Sequence, residues 1–201
     1  MTFDFNKAYV LEDDSVILRP IEENDFEYLL PFALNEPELW SYSLISGAGY
    51  EGMKNYIVNA ILSRKQAKEY PFIVFDKQQM KYAGSTRFYD INSGADTVQL
   101  GFTWYGKDFQ GTGLNKHCKY LLLEFAFGEM GVRRVEFRAD NRNERSKAAM
   151  KSIGCKEEGI LRSNGYCADG SRRDSIVLSI LSEEWHQQVR QMLKDKLTPS
   201  I

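Results

Sequence analysis

Residues 108–115 read Asp108-Phe109-Gln110-Gly111-Thr112-Gly113-Leu114-Asn115, a turn between a strand-like run at 97–105 and an apolar-periodic run at 114–130. A turn that opens a helix leaves the first backbone N–H groups without partners, and the positive end of the helix macrodipole adds to them. Such a site favours a phosphate or pyrophosphate. Gly111 and Gly113 let the backbone approach an anion with no Cβ in the way. Two better-known phosphate loops are excluded. A Walker A loop needs Gly-Lys-Ser/Thr at its end, which does not follow Gly113. The dinucleotide fingerprint needs a third glycine and an early βαβ unit, and neither is present.

Farther along, a strand-like run at 133–139 leads into Asp140-Asn141-Arg142-Asn143-Glu144-Arg145-Ser146 and a short helix ending at Ile153-Gly154. Together the two motifs resemble the signature of the GCN5-related N-acetyltransferase superfamily. In that family Gln/Arg-x-x-Gly-x-Gly/Ala holds the pyrophosphate of acetyl-CoA, and Asn-x-x-Ser/Ala lines the pantetheine arm. Gln110, Gly113 and Asn115 stand at the first, fourth and sixth positions of the first motif, with Asn115 where Gly or Ala is usual. Asn143 and Ser146 fill the second. The resemblance covers about residues 16–180. It is closest to the branch that includes ribosomal-protein N-terminal acetyltransferases, which has a Gly-Phe/Tyr-x-Trp strand like Gly101-Phe102-Thr103-Trp104 before the loop.

The resemblance implies an α/β fold: a mixed, mostly antiparallel central sheet with two splayed strands, flanked by helices. Acetyl-CoA would lie in the gap, with its pyrophosphate on Gln110, Gly111, Thr112, Gly113, Leu114 and Asn115. Its arm would run beside Phe102, Thr103 and Trp104 on one side and Asn143 and Ser146 on the other, and no metal is implied. The implied reaction is direct attack of a primary amine on the thioester, foremost by a protein N-terminal α-amine. A small-molecule amine (amino acid, polyamine or antibiotic) is the alternative acceptor, and a non-catalytic acyl-CoA-binding module is the contrasting class. A backbone N–H of the strand at 100–104 is the expected donor to the tetrahedral oxyanion.

Proton transfer departs from the family's pattern. The tyrosine that many relatives use to protonate the departing thiolate falls on Met150, so Ser146 is the candidate catalytic acid, with capping or packing as its alternative role. The glutamate proposed to activate the amine in the ribosomal-protein branch falls on Gly165, and a carboxylate found elsewhere in the family on Gln99, which leaves Glu157, Glu158, Asp169 and Asp174 as bases or as plain solvated carboxylates. A free α-amine has a pKa near ~7.7–8.0 and a lysine amine near ~10.4, so a site without a strong base suits the former.

Trp40 and Tyr42 lie in a loop that rims the acceptor pocket in this fold, with core packing as the alternative role of Trp40, and Arg87 and Tyr89 end the strand beside it; these four are the candidate substrate-binding residues. The basic residues Arg138, Arg142, Arg145, Lys147 and Lys151 cluster where the adenosine 3′-phosphate would emerge, or form plain solvated surface. His117 reads as a surface or packed residue.

Bulk properties agree. The 201 residues suit one domain, 1–201, with a core at about 16–181 and a C-terminal helix at about 183–197. Lys plus Arg total 26 against 28 for Asp plus Glu, which argues against nucleic-acid binding by bulk charge. Cys118, Cys155 and Cys167 are too few and scattered for a disulfide framework or zinc site, so a reduced, cytoplasmic setting is expected. No run reads as a signal peptide or membrane span.

In chain order the pattern predicts a strand at 15–20 and a helix opened by Asn24 and Glu27 at capping-box spacing, limited by Pro31 and Pro37. A loop at 40–49 and a helix at 51–69 follow. Strands are expected at 71–76, 81–89 and 97–105, then a helix at 114–130, a hairpin of 155–166 with 173–181, and a last helix capped by Ser182. The last helix carries Trp185, Val189, Met192 and Leu193 on one side, a stripe that either covers the domain's own sheet or pairs with a second copy in a homodimer.

Overall fold

The structure is a computed structural model that describes residues 1–197; the end of the expected domain range, 198–201, lies outside the described residues. One eight-stranded sheet forms its centre. The strands are β1 (Leu11–Glu12), β2 (Val16–Pro20), β3 (Tyr70–Asp76), β4 (Lys81–Asn92), β5 (Thr97–Tyr105), β6 (Arg134–Asp140), β7 (Lys156–Tyr166) and β8 (Arg172–Leu181). Their order is β1-β2-β3-β4-β5-β6-β8-β7. Every neighbouring pair is antiparallel except β5 and β6, which run parallel.

Two helical layers cover the faces. The helices are α1 (Phe26–Asn35), α2 (Gly49–Lys65), α3 (Leu114–Glu124), α4 (Glu144–Ser152), α5 (Ser182–Glu184) and α6 (Arg190–Asp195). Leu114, Cys118, Leu122 and Leu123 recur at helical spacing on α3 and pack with Val98, Leu100, Val135 and Phe137 of the sheet. On the opposite face Leu29 and Ala33 of α1 and Met53, Tyr56 and Ile57 of α2 close over Ile73 and Trp104. The C-terminal stripe resolves onto the chain's own core: Trp185, Val189 and Leu193 are buried in the α3 layer, with Met192 packed against it.

Two irregularities of β5 create the site. Pairing with β6 covers only Thr97↔Arg134, Val98↔Val135 and Gln99↔Glu136, although both strands continue. The edges of β5 beyond Gln99 and β6 beyond Glu136 therefore part. On its other edge β5 carries one residue too many: Ser85 faces Trp104 and Arg87 faces Gly101, so three steps on β5 oppose two on β4. Phe102 sits inside this bulge at φ 49°, a left-handed conformation that bulky side chains rarely adopt.

Several boundaries differ from the sequence pattern. The first helix opens with a 3₁₀ turn at Glu23–Asp25, and its box is Glu22 with Asp25 rather than Asn24 with Glu27. Arg19 forks the Asp25 carboxylate at 2.9 and 2.6 Å and holds it where it also accepts from the Glu22 N–H at 2.8 Å. Helix α2 stops at Lys65 because Ala67 turns left-handed at φ 56° and Lys68 N–H returns to Ser63 O. Helix α3 passes into a π-helical turn at Phe125–Glu129, and a second π turn, Trp185–Val189, joins α5 to α6. Ser182 is the first helical residue instead of the cap, since Glu184 reaches back to the Leu181 N–H at 3.0 Å.

Candidate active site

The parted strands open into a cavity of about 980 Å³. The phosphate turn forms one end. A 3₁₀ turn at Lys107–Phe109 brings the chain round, and Gly111 at φ 77° and Gly113 at φ 96° reverse it into α3. A Cβ at either glycine would meet open space, so the backbone itself faces the cavity and the positive φ is what calls for glycine. Among the described residues the amides of Gly111, Thr112 and Gly113 donate to no acceptor. Gln110 braces this turn: its Nε2 donates to Tyr105 O at 2.7 Å, and its Oε1 accepts from Arg145 on α4. Thr112 Oγ1 donates to Phe109 O at 3.0 Å, and Leu114 is buried in the α3 core, so neither side chain lines the cavity.

The second motif forms the opposite wall. Asn143 caps α4, its Oδ1 accepting from Ser146 N at 3.0 Å. That leaves the Ser146 hydroxyl in the cavity wall with no hydrogen bond among the described residues. Asn115, Phe102, Thr103 and Trp104 also line the cavity. So do Met150, Gln99 and Gly165, none of which can serve as acid or base at neutral pH.

At the other end, where the acceptor is expected, Trp40, Tyr42 and Tyr89 line the wall. Trp40 is nearly buried against Trp104 and Tyr56, while Tyr42 is half open to solvent. Tyr89 sits edge-on to Phe102, and burial pushes its phenol well above the usual range, so it remains protonated. Arg87 lies beneath the cavity and not in its wall. Its guanidinium pairs with Glu69 at 2.6 Å and stacks on Tyr56 and Phe102 at 4.8 and 4.5 Å, which props the bulge from below.

The basic cluster is largely engaged. Arg138 pairs with Glu136, Arg142 with Asp140, Lys147 with Glu144, Lys151 with Glu157, and Arg145 bonds Gln110. The Arg142 guanidinium holds the Asp140 carboxyl well below the ordinary carboxylate range. His117 Nδ1 bonds Asp13 at 2.7 Å, away from the cavity wall.

Lys119 and Arg173 are buried charges of the wall that the sequence motifs do not mark. Lys119 of α3 is 6% exposed and donates to Thr103 Oγ1 at 2.8 Å. The pattern held a signal for it, because Lys119 precedes Leu122 and Leu123 by three and four positions and so falls on the apolar face. Arg173 of β8 is also buried, bonding Ser175 Oγ at 2.8 Å and Tyr42 O at 2.9 Å. It ties the acceptor loop to the last hairpin, together with Ala168 N–H on Ser43 O at 2.9 Å. Nothing local in the sequence announces that pairing across 131 positions.

Residues 15–156 match the model of the acetyltransferase (GNAT) domain. The chain belongs to the GNAT acetyltransferase family. It is similar to "Probable N-acetyltransferase YjcK" of Bacillus subtilis (strain 168), 27% identical over 184 residues, 89% of this chain and 100% of that protein. A second protein of that organism, "Putative ribosomal N-acetyltransferase YdaF", is 30% identical over 102 residues, 51% of this chain and 55% of its own. Among solved structures, a GCN5-related N-acetyltransferase from Brucella melitensis superposes with a TM-score of 0.87 at 22% identity, covering 96% of this chain and 87% of that one. The GNAT chain is thus an N-acetyltransferase that takes its acetyl group from acetyl-CoA. The open glycine turn with its orphaned amides suits a pyrophosphate, and the parted β5 and β6 suit an extended arm with amides of its own.

Proposed function

We propose that this GNAT enzyme acetylates free α-amines, foremost the N-terminus of a protein, and belongs with the ribosomal-protein branch. The observation that carries the acceptor class is that the wall holds no histidine and, inside its rim, no unpaired carboxylate. Gln99, Met150 and Gly165 stand where a base or acid would be sought. Among wall carboxylates, Asp140, Glu144 and Glu38 are each ion-paired, to Arg142, Lys147 and Lys107. Asp90 lines the rim and is exposed, outside the enclosed part of the wall. A nucleophile that is already partly neutral near pH 7 fits such a site, and an α-amine at ~7.7–8.0 qualifies where a lysine at ~10.4 does not. The name of the partial relative YdaF supports the ribosomal assignment.

In this reading the amides of Gly111, Thr112 and Gly113 cradle the pyrophosphate, and the pantetheine arm fills the gap beside Phe102 and Thr103. A backbone N–H of the Phe102 bulge meets the oxyanion, and the Ser146 hydroxyl bonds the departing sulfur. Amine attack forms the C–N bond, and collapse of the intermediate breaks the C–S bond.

The test is thiol release from acetyl-CoA with peptides bearing a free N-terminus, N-blocked lysine peptides, polyamines, amino acids and aminoglycosides. Turnover confined to free N-terminal peptides is the expected result. Efficient turnover of a polyamine at pH 7 with none of any peptide moves the function to metabolite acetylation.

A further inference from the structure

Lys119 stands in the gap between the parted strands. Its Nζ is 2.8 Å from Thr103 Oγ1 on β5 and 5.9 Å from the centre of the Phe137 ring on β6, just past the point where the two strands stop pairing. Thr103 is itself anchored, sharing a 2.7 Å hydrogen bond with Thr86 on β4. Among the described residues no carboxylate lies within ion-pair distance of this ammonium. The titratable groups that bear on it are the Cys118 and Cys155 thiols, which burial pushes up to about 12, so they remain neutral and supply no counter-charge.

An ammonium has three donors, and the chain engages one of them here. A buried cation without an anion is costly, and persists where a partner is supplied from outside the chain. The anion that GNAT chemistry generates in this gap is the thiolate of CoA.

We infer that Lys119 is a catalytic residue that receives the departing sulfur: its ammonium stabilises the thiolate and hands it a proton. The amine lone pair forms the C–N bond, and the C–S pair goes to sulfur. One Nζ proton moves to that sulfur, giving CoA thiol, and Lys119 regains a proton from solvent. The attacking nitrogen's surplus proton leaves to water, so charge and protons balance. Ser146 then keeps the narrower part of a neutral hydrogen bond to the same sulfur, and this assignment rests on the acetyl-CoA reading of the cavity. Burial lowers the Lys119 pKa from its ordinary value to about 8, which makes its ammonium a stronger proton donor to a thiolate than an exposed lysine would be.

The test uses the intact protein with CoA and with desulfo-CoA, which lacks only the sulfur. In the wild-type complex the CoA thiol, followed by thiolate absorbance, should titrate about one unit below the thiol of free CoA titrated in the same buffer. In Lys119→Met, CoA affinity at pH 8 should fall about tenfold while desulfo-CoA affinity changes less than about twofold. The kcat for acetyl-CoA should fall about 10²-fold. A bound thiol titrating at or above the free value in the wild type overturns the inference without reference to any variant. So does an equal loss of CoA and desulfo-CoA affinity in Lys119→Met, which would make the lysine a contact to the arm alone. Failure of the wild type to bind CoA and desulfo-CoA alike would overturn the cofactor placement, whereas binding of both without the thiol shift overturns only the role of Lys119, which separates the two failures.

Discussion

The two ends of the cavity are built in opposite ways. At the phosphate end consecutive residues do the work: Gly111, Thr112 and Gly113 present their own amides, and the helix that aims them begins at the next residue. At the acceptor end almost every wall contact crosses the chain. Tyr42 is held by Arg173, Ser43 by Ala168, and Trp40 packs on Trp104 and Tyr56. Gly47 belongs to the same construction, since a Cβ there would come within 2.7 Å of the Trp40 ring. The contrast separates an end defined by backbone, suited to a constant ligand, from an end defined by side chains and a loop, where on the proposed reading the acceptor is chosen.

Mutations should divide along that line. The largest effect is expected from Gly113→Asp, which forces a side chain into φ 96° and sets a negative charge beside the pyrophosphate. Strain of ~1–3 kcal/mol plus repulsion should weaken acetyl-CoA about a hundredfold in titration calorimetry. Unchanged affinity with an intact fold would remove the turn from the binding site and end the comparison at its firmer pole.

Ser146→Ala and Arg173→Met should come next and act on different constants. Loss of the Ser146 hydroxyl should lower kcat about tenfold and leave acetyl-CoA affinity within a few-fold, less than a full proton donor at ~10²–10⁴. Loss of the buried Arg173 bond to Tyr42 O should raise the acceptor KM about tenfold, in line with ~1.5–3 kcal/mol for a charged hydrogen bond, with acetyl-CoA affinity unmoved. Should Arg173→Met weaken acetyl-CoA as strongly as the acceptor, the two ends are not separable.

The smallest effect is in the pH profile. With no histidine and no unpaired carboxylate inside the wall, the rising limb of kcat/KM belongs to the acceptor and should have its midpoint near ~8 for a peptide N-terminus, while loss of the Lys119 proton, at a pKa lowered to about 8 by burial, bends the profile down above it. A midpoint well below that value would reveal an enzyme base, and Asp90 at the rim would be the first residue to replace.

The sequence by itself determined the sheet class, the glycine turn, the Asn143–Ser146 element and the family. Each of these is written in neighbouring residues: strand alternation, a helix start, a cap three residues long. It also marked Lys119 faintly, as a charge on the apolar face of α3. Only the tertiary structure decided that Arg87 supports the bulge from beneath, that Arg173 holds the acceptor loop, and that the last helix covers the chain's own core. It also moved the first helix cap to Glu22 and Asp25, because the deciding partner, Arg19, lies on β2. The physical reason is the same throughout: a backbone turn or cap is fixed by local dihedrals and nearby donors, whereas a buried charge takes its role from whatever the fold brings beside it, and that neighbour is unrelated to distance along the chain.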